Sequence, residues 1–106
     1  MYDGYMKILF WTKHSKAKMR QHGLSESRVK RVLNYPKRVE EGIADKTVAM
    51  MQPAGTLKHP YEVWVMVSDT PKRRNIVSAW RYPGRTKPGE PLPEAIMREF
   101  RDASGF

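Results

Sequence analysis

A histidine lies among lysines in a short segment near the start of the chain, residues 12–25, with the sequence TKHSKAKMRQHGLS. If residues 13–22 form a helix, His14 and Lys18 lie one turn apart on the same face. Nearby positive charge disfavours the imidazolium form, so we expect His14 to be neutral near pH 7 and able to act as a general base. The alternative is that His14 only packs or caps at the helix start. His22 lies at the end of the same helix, where the helix dipole favours a structural role.

Aromatic and arginine side chains occur together in Trp80-Arg81-Tyr82, at the end of the last predicted strand. Alternation along a strand sends Trp80 and Tyr82 to one face and Arg81 to the other. The guanidinium of Arg81 offers a planar fork of donors suited to phosphate oxygens, and an aromatic ring can stack on a base of single-stranded RNA. The alternative is a core of packed aromatic rings in which Arg81 is an ordinary solvated residue.

The excess of basic residues is concentrated in the first third of the chain. The protein has 20 Lys and Arg against 11 Asp and Glu, a formal net charge of +9. Ten basic residues and one acidic residue lie between Lys7 and Arg38, and the rest of the chain carries ten of each. This asymmetry favours a face that binds an anionic partner, with a nucleic acid as the first hypothesis and a merely basic domain as the alternative. The candidate RNA-binding residues are Lys13, Lys16, Lys18, Arg20, Arg28, Lys30, Arg31, Trp80 and Tyr82.

Length and composition exclude several other classes of protein. A chain of 106 residues fits one domain and not a multidomain enzyme. It contains no cysteine, which excludes disulfides, and its three histidines lack metal-ligand spacing, so we predict neither a metal site nor a cofactor. Apolar runs such as residues 8–11 are far shorter than the roughly 20 residues that span a bilayer. We therefore expect no membrane association, no signal peptide and a cytoplasmic location.

The helices that must position these side chains can be predicted from periodicity and caps. Residues 5–11 are aromatic and aliphatic and predict a first strand or an extended segment packed on the core. A threonine N-cap and a glycine just past the end bracket a helix over residues 13–22. Ser25 can cap a second helix over residues 26–34, which Pro36 ends.

After the second helix the period changes from about 3.6 residues to 2, which predicts strands. We place a hairpin and two further strands at residues 39–51, 61–67 and 75–82. The overall prediction is an α+β fold, with two N-terminal helices packed on one face of an antiparallel sheet of about four strands, plus a C-terminal helix from Pro93. The chain then divides into a single α+β domain over residues 1–84 and a Pro/Gly-rich linker with that helix over residues 85–106.

The helix segment over residues 12–25, with Val29, Val32, Leu33 and Pro36 after it and strands that end in Trp80-Arg81, resembles the DUF4258 family of small bacterial proteins. The resemblance covers about residues 11–82. It implies a RelE-like fold, because that family is in turn similar to the RelE/ParE-type toxins and to the wider barnase, EndoU, colicin and RelE class of metal-independent ribonucleases.

The resemblance carries over to particular residues. His14 corresponds to the histidine on the first helix of the family, and Arg81 to the basic residue at the end of the last strand. This sequence has Lys18 and His22 where the family usually has arginine. Lysine keeps a positive charge at position 18, whereas histidine makes the charge at position 22 depend on pH.

Together these observations predict a small RNA-binding protein, with a metal-independent ribonuclease of toxin type as the catalytic version of that hypothesis. In that version His14 is the general base or acid, and Lys18, Arg20 and Arg81 stabilise charge on the phosphate. Trp80 or Tyr82 would stack a base, and ribosome-associated messenger RNA is one candidate substrate.

Three alternatives remain open from the sequence. The first is a nucleic-acid-binding module without catalysis, in which the histidine is structural. The second is a basic domain whose main partner is an acidic protein such as an antitoxin. The third is a homodimer formed through the apolar stripe of the predicted C-terminal helix.

Overall fold

Two short helices and five strands form in the part of the chain that the structure, a computed structural model, describes, residues 7–89. In chain order they are β1 (Ile8–Trp11), α1 (Lys13–His22), α2 (Glu26–Asn34), β2 (Arg38–Glu41), β3 (Val48–Gly55), β4 (Pro60–Asp69) and β5 (Arg73–Pro83). The predicted bounds of both helices are confirmed.

Local hydrogen bonds explain why the two helices begin and end where they do. The hydroxyl of Thr12 accepts a hydrogen bond from the amide of Ser15 at 3.1 Å, and the hydroxyl of Ser25 accepts one from the amide of Arg28 at 3.1 Å. Each satisfies a helix amide that has no partner within its own helix. Gly23 follows α1 with φ +66°, a left-handed conformation that ends the helix at low cost only for glycine.

The sheet has the strand order β1-β5-β4-β3-β2. β1 runs parallel to β5, and the other neighbouring strands are antiparallel. The predicted antiparallel sheet of about four strands is therefore wrong, because the sheet is mixed and has five strands. A parallel pair needs a long crossover connection, and the pairing of Phe10 with Asn75 spans most of the described chain, so no local pattern indicates it.

The predicted C-terminal helix was also part of that fold. It begins at Pro93 and so lies outside the described residues, and residues 7–89 contain only α1 and α2.

Each face of the sheet carries its own apolar core. Both helices cover one face, where Met19 of α1 and Val29 and Val32 of α2 pack on a row of strand residues. Those strand residues are Val63, Val65, Val67, Ile76 and Ala79. On the opposite face Trp64 and Trp80 stack with ring centroids 6.0 Å apart and planes only 3° from parallel. Pairing of the consecutive strands β4 and β5 thus builds both cores at once.

A buried carboxylate on that opposite face holds the segment after β5. Glu62 is only 1% exposed, and it accepts hydrogen bonds from the indole of Trp64 at 2.9 Å and from the amide and hydroxyl of Thr86 at 3.0 and 2.8 Å. The guanidinium of Arg38 lies 3.9 Å from the same carboxylate and donates to the carbonyl of Thr86 at 3.0 Å. Residues 85–89, the start of the predicted linker, contain no helix or strand but are bonded to the sheet through these groups.

Candidate functional site

Helix α1 carries three basic side chains in one row. His14, Lys18 and His22 are spaced by four residues, so they lie on the same face over roughly 12 Å of helix. This helix packs against β5, and Lys18 is only 7% exposed there. The amine of Lys18 donates a hydrogen bond to the side-chain oxygen of Gln21 at 3.1 Å. A lysine is rarely this buried, so its position marks the row as unusual.

The last member of the row contacts the open edge of β5. β1 ends at Trp11, which pairs with Ile76, so beyond that point no strand lies on this side of β5 within residues 7–89. Here the backbone amide of Arg81 donates a hydrogen bond to Nδ1 of His22 at 3.3 Å. His22 thus takes the place of a missing strand partner and joins α1 to the end of β5.

Arginines from β5 and α2 interact with Tyr61 at this end of the sheet, Arg81 by direct contact and Arg28 through its charge. The guanidinium of Arg81 lies 4.8 Å from the centre of the Tyr61 ring, in the geometry of a cation–π contact. Arg28, at the start of α2, donates a hydrogen bond to the side-chain oxygen of Gln52. The amide nitrogen of Gln52 donates in turn to the carbonyls of Arg31 and Tyr35 at 3.1 and 2.8 Å. Gln52 therefore fixes α2 on β3 and holds the side chain of Arg28 there.

The electrostatics indicate that these basic groups act on one another. Burial lowers the pKa of His14, and the charge of Lys18 lowers it further. Burial also lowers the pKa of His22, with smaller contributions from Lys18 and Arg81. The pKa of Lys18 falls because of burial. The direction for His14 agrees with the expectation from its lysine neighbours, although burial, which the sequence did not reveal, is the larger cause.

Arg28 belongs to the same electrostatic group. Burial lowers its pKa first, and the charges of Arg31 and Arg81 lower it further while Tyr61 raises it. We use the name cationic cluster for five residues, His14, Lys18, His22, Arg28 and Arg81. The partly desolvated charges of Lys18 and Arg28, next to the exposed guanidinium of Arg81, are typical of a site that binds an anion.

No protein-family model, curated protein or solved structure matches this chain. The resemblance to the DUF4258 family and its RelE-like fold therefore stays a prediction. The same holds for the RNA, acidic-protein and homodimer predictions.

The other basic residues predicted to bind RNA are not brought into the cationic cluster. They project from α1 and α2 as exposed side chains, at Lys13, Lys16, Arg20, Lys30 and Arg31. Their position allows contact with an extended polyanion that also reaches the cluster, but they do not themselves form a defined site.

The aromatic residues beside Arg81 lie on the other face of the sheet. Trp80 is 2% exposed and stacks on Trp64, and half-buried Tyr82 packs against the same core. The alternation predicted from the sequence does separate them from Arg81. Because Trp80 is buried in the second core, we do not include it or Tyr82 in the site.

Sequence reasoning missed two residues that shape the cluster, Tyr61 and Gln52. Alternation along β4 could have placed Tyr61 on the helix-covered face with Val63 and Val65. Its contact with Arg81 depends on the pairing register of β4 with β5, which no short-range pattern gives. No pattern in the sequence indicated a role for Gln52.

Within residues 7–89 no group of three or more His, Cys, Asp or Glu side chains is arranged to hold a metal ion. Neither of the helices in this range is long and apolar enough to cross a membrane.

Proposed function

We propose that this protein binds RNA through the cationic cluster, with the phosphate backbone as the ligand. The observation that carries the proposal is the burial of Lys18 between two histidines on a helix whose end contacts Arg81. Desolvated cations lose favourable hydration, and a phosphate oxygen that enters the cluster replaces it. RNA is the ligand class that the resemblance implies, and its anionic backbone matches the charge of the site.

The basic residues around the cluster support a longer contact with the same ligand. Lys13, Lys16 and Arg20 extend from α1 and Lys30 and Arg31 from α2, all exposed to solvent. Contacts of this type give affinity without sequence preference and depend strongly on salt. The cluster would then anchor one phosphate while the exposed residues follow the chain on either side.

The test is binding of a short, labelled single-stranded RNA of mixed sequence, measured by fluorescence anisotropy over a range of salt concentrations. We expect Lys18→Met and Arg81→Ala each to weaken binding about 10-fold, because each removes a charged hydrogen-bond donor. Each should also reduce the slope of log affinity against log salt by about 0.7. A DNA strand of the same sequence serves as the comparator for the ligand class.

Lys72→Met is the matched control. It removes the same charge from an exposed position just before β5, roughly 30 Å along the strand from Arg81. We expect this variant to bind nearly as tightly as the wild type. Equal losses in Lys72→Met and Lys18→Met would mean that net charge, and not the cluster, determines binding, and the proposal would be wrong.

A second candidate function is cleavage of the bound RNA, and the lowered pKa values of His14 and His22 favour it. A neutral imidazole can take the proton from a 2′-hydroxyl, whose oxygen then attacks the adjacent phosphorus. The phosphorus–5′-oxygen bond breaks, the leaving oxygen takes up a proton, and a 2′,3′-cyclic phosphate forms. Lys18 and Arg81 would stabilise the negative charge that builds on the phosphate oxygens.

Incubation of a mixed RNA pool with the protein in EDTA, followed by sequencing of the new ends, tests this step. If His14 is the base or the acid, His14→Ala should slow cleavage by about 100- to 10,000-fold. Arg81→Ala should also reduce the rate. If the protein binds the RNA but produces no new RNA ends, the binding function stands and the catalytic one is wrong.

A further inference from the structure

The two ring nitrogens of His22 have different environments, and this difference fixes where the proton lies. Nδ1 accepts a hydrogen bond from the backbone amide of Arg81 at 3.3 Å. A backbone amide can only donate, so Nδ1 carries no proton. The neutral ring must then carry its proton on Nε2, which makes Nε2 a hydrogen-bond donor.

That donor is buried and unused. Nε2 of His22 is shielded from solvent and has no hydrogen-bond partner among the described residues. Buried donors without a partner are rare in native proteins because they give up their bond to water and gain nothing in return. Such a group is therefore a candidate for a bond that forms only when a ligand is present.

The surroundings of this nitrogen determine which ligand would fit. The side chains of Lys18 and Arg81 are close enough for their positive charges to act on the imidazole. A donor flanked by two cations suits an oxygen that carries negative charge, and it repels a cation.

We propose that Nε2–H of His22 donates a hydrogen bond to a phosphate oxygen of bound RNA, and that the backbone amide of Arg81 holds the ring in the required tautomer. This inference rests on the proposed RNA-binding function and adds to it a neutral donor between two cations. Because Nε2 is covered in the unbound protein, the groups that cover it have to move when RNA binds. His22 then has two roles, to hold the end of β5 through Nδ1 and to bind the ligand through Nε2.

Two substitutions separate these roles. His22→Asn places an amide oxygen near the position of Nδ1, which can still accept from the Arg81 amide, but it leaves no donor at the position of Nε2. His22→Gln reaches the position of Nε2 with an amide that can donate, but it loses the acceptor. Both are uncharged, so neither changes the net charge that governs the salt dependence.

The experiment measures binding of the same labelled single-stranded RNA to the wild type, His22→Asn and His22→Gln. We expect His22→Asn to bind about 10-fold more weakly with an unchanged salt slope, and His22→Gln to stay within about threefold of the wild type. Circular dichroism of each variant shows whether it has the wild-type fold. Equal binding by His22→Asn and the wild type would overturn the proposal.

Nuclear magnetic resonance of the histidine ring gives a second readout that does not depend on any variant. Long-range ¹H–¹⁵N correlation should show His22 protonated on Nε2 and not on Nδ1 in the free protein, and added RNA should shift the Nε2–H signal. Protonation on Nδ1 would overturn the inference directly.

The two proposals fail in distinguishable ways. If Lys18→Met and Arg81→Ala weaken RNA binding while His22→Asn does not, the inference about His22 is wrong and the proposed function stands. If the wild type does not bind RNA, both are wrong.

Discussion

The two faces of the sheet each bury a charged side chain, but they treat it in opposite ways. On the face away from the helices, Glu62 accepts hydrogen bonds from Trp64 and Thr86 and forms an ion pair with Arg38. On the helix side, Lys18 lies between two histidines whose pKa values its charge lowers. The carboxylate of Glu62 has several hydrogen-bond donors and a cation around it, whereas Lys18 donates to Gln21 and lies beside further basic side chains.

This difference separates a structural role from a functional one. A buried carboxylate with several hydrogen bonds contributes to stability mainly because its removal would leave those donors without a partner. A buried cation beside further positive charge is desolvated, and an external anion that binds there would stabilise it. Substitutions on the two faces should therefore change different quantities.

The largest expected effect on stability is that of Glu62→Ala. The indole of Trp64 and both donors of Thr86 would lose their acceptor in a buried position, and Arg38 would lose one of its anionic partners. We expect the free energy of unfolding to fall by about 3 to 5 kcal/mol, measured by urea denaturation. RNA affinity of the protein that remains folded should be unchanged.

A loss of less than about 1 kcal/mol in Glu62→Ala would contradict this prediction, because it would mean that the donors find other partners. Glu40→Ala is a useful comparison on the same face. Its carboxylate also pairs with Arg38 but is more exposed, so its removal should cost less.

Lys18→Met should have the opposite effect and increase the stability of the protein. Methionine has a similar length and helix propensity and needs no hydration, so the variant keeps the packing of α1 on β5. We expect the free energy of unfolding to rise by about 1 kcal/mol, the low end of the gain when buried charges are replaced by apolar groups. The same urea titration measures it.

A clear loss of stability in Lys18→Met would mean that neighbouring groups stabilise the charge of Lys18, as they do for Glu62. The contrast between the two faces would then disappear. A gain in stability together with weaker RNA binding would support the view that this position has been kept for function at a cost in stability.

Local structure could be predicted from the sequence, and long-range structure could not. The bounds of α1 and α2 follow from caps and periodicity, and the opposite directions of Arg81 and Trp80 follow from strand alternation. The contact of His22 with Arg81 depends on β1 pairing in parallel with β5 and stopping early, which leaves the edge open. Hydrogen bonds from Thr86 to Glu62 likewise join distant segments, so the sequence predicted a linker from residue 85 but not that Thr86 is bound to the sheet.

The smallest expected effect is a dependence of stability on pH that comes from the histidines on the helix-covered face of the sheet. Burial and neighbouring positive charge lower the pKa of both His14 and His22 in the folded protein. The unfolded chain, with histidine pKa values near about 6.5, therefore binds protons at these sites more readily than the folded protein does. The free energy of unfolding should thus be fully retained above about pH 7 and should fall as the pH drops through and below about 6.5.

Urea denaturation between about pH 8 and pH 5.5 isolates this contribution, because carboxylates titrate lower. The carboxyl of Asp69, whose pKa is lowered mainly by its hydrogen bonds from Arg74, loses its stabilising effect only at still more acidic pH. The double variant His14→Gln, His22→Asn should flatten the decline while keeping the acceptor for the Arg81 amide. If the decline persists unchanged in the double variant, these histidines do not titrate as their surroundings imply. Protonation would then involve other groups, and the helix side would no longer differ from the Glu62 side in its response to acid.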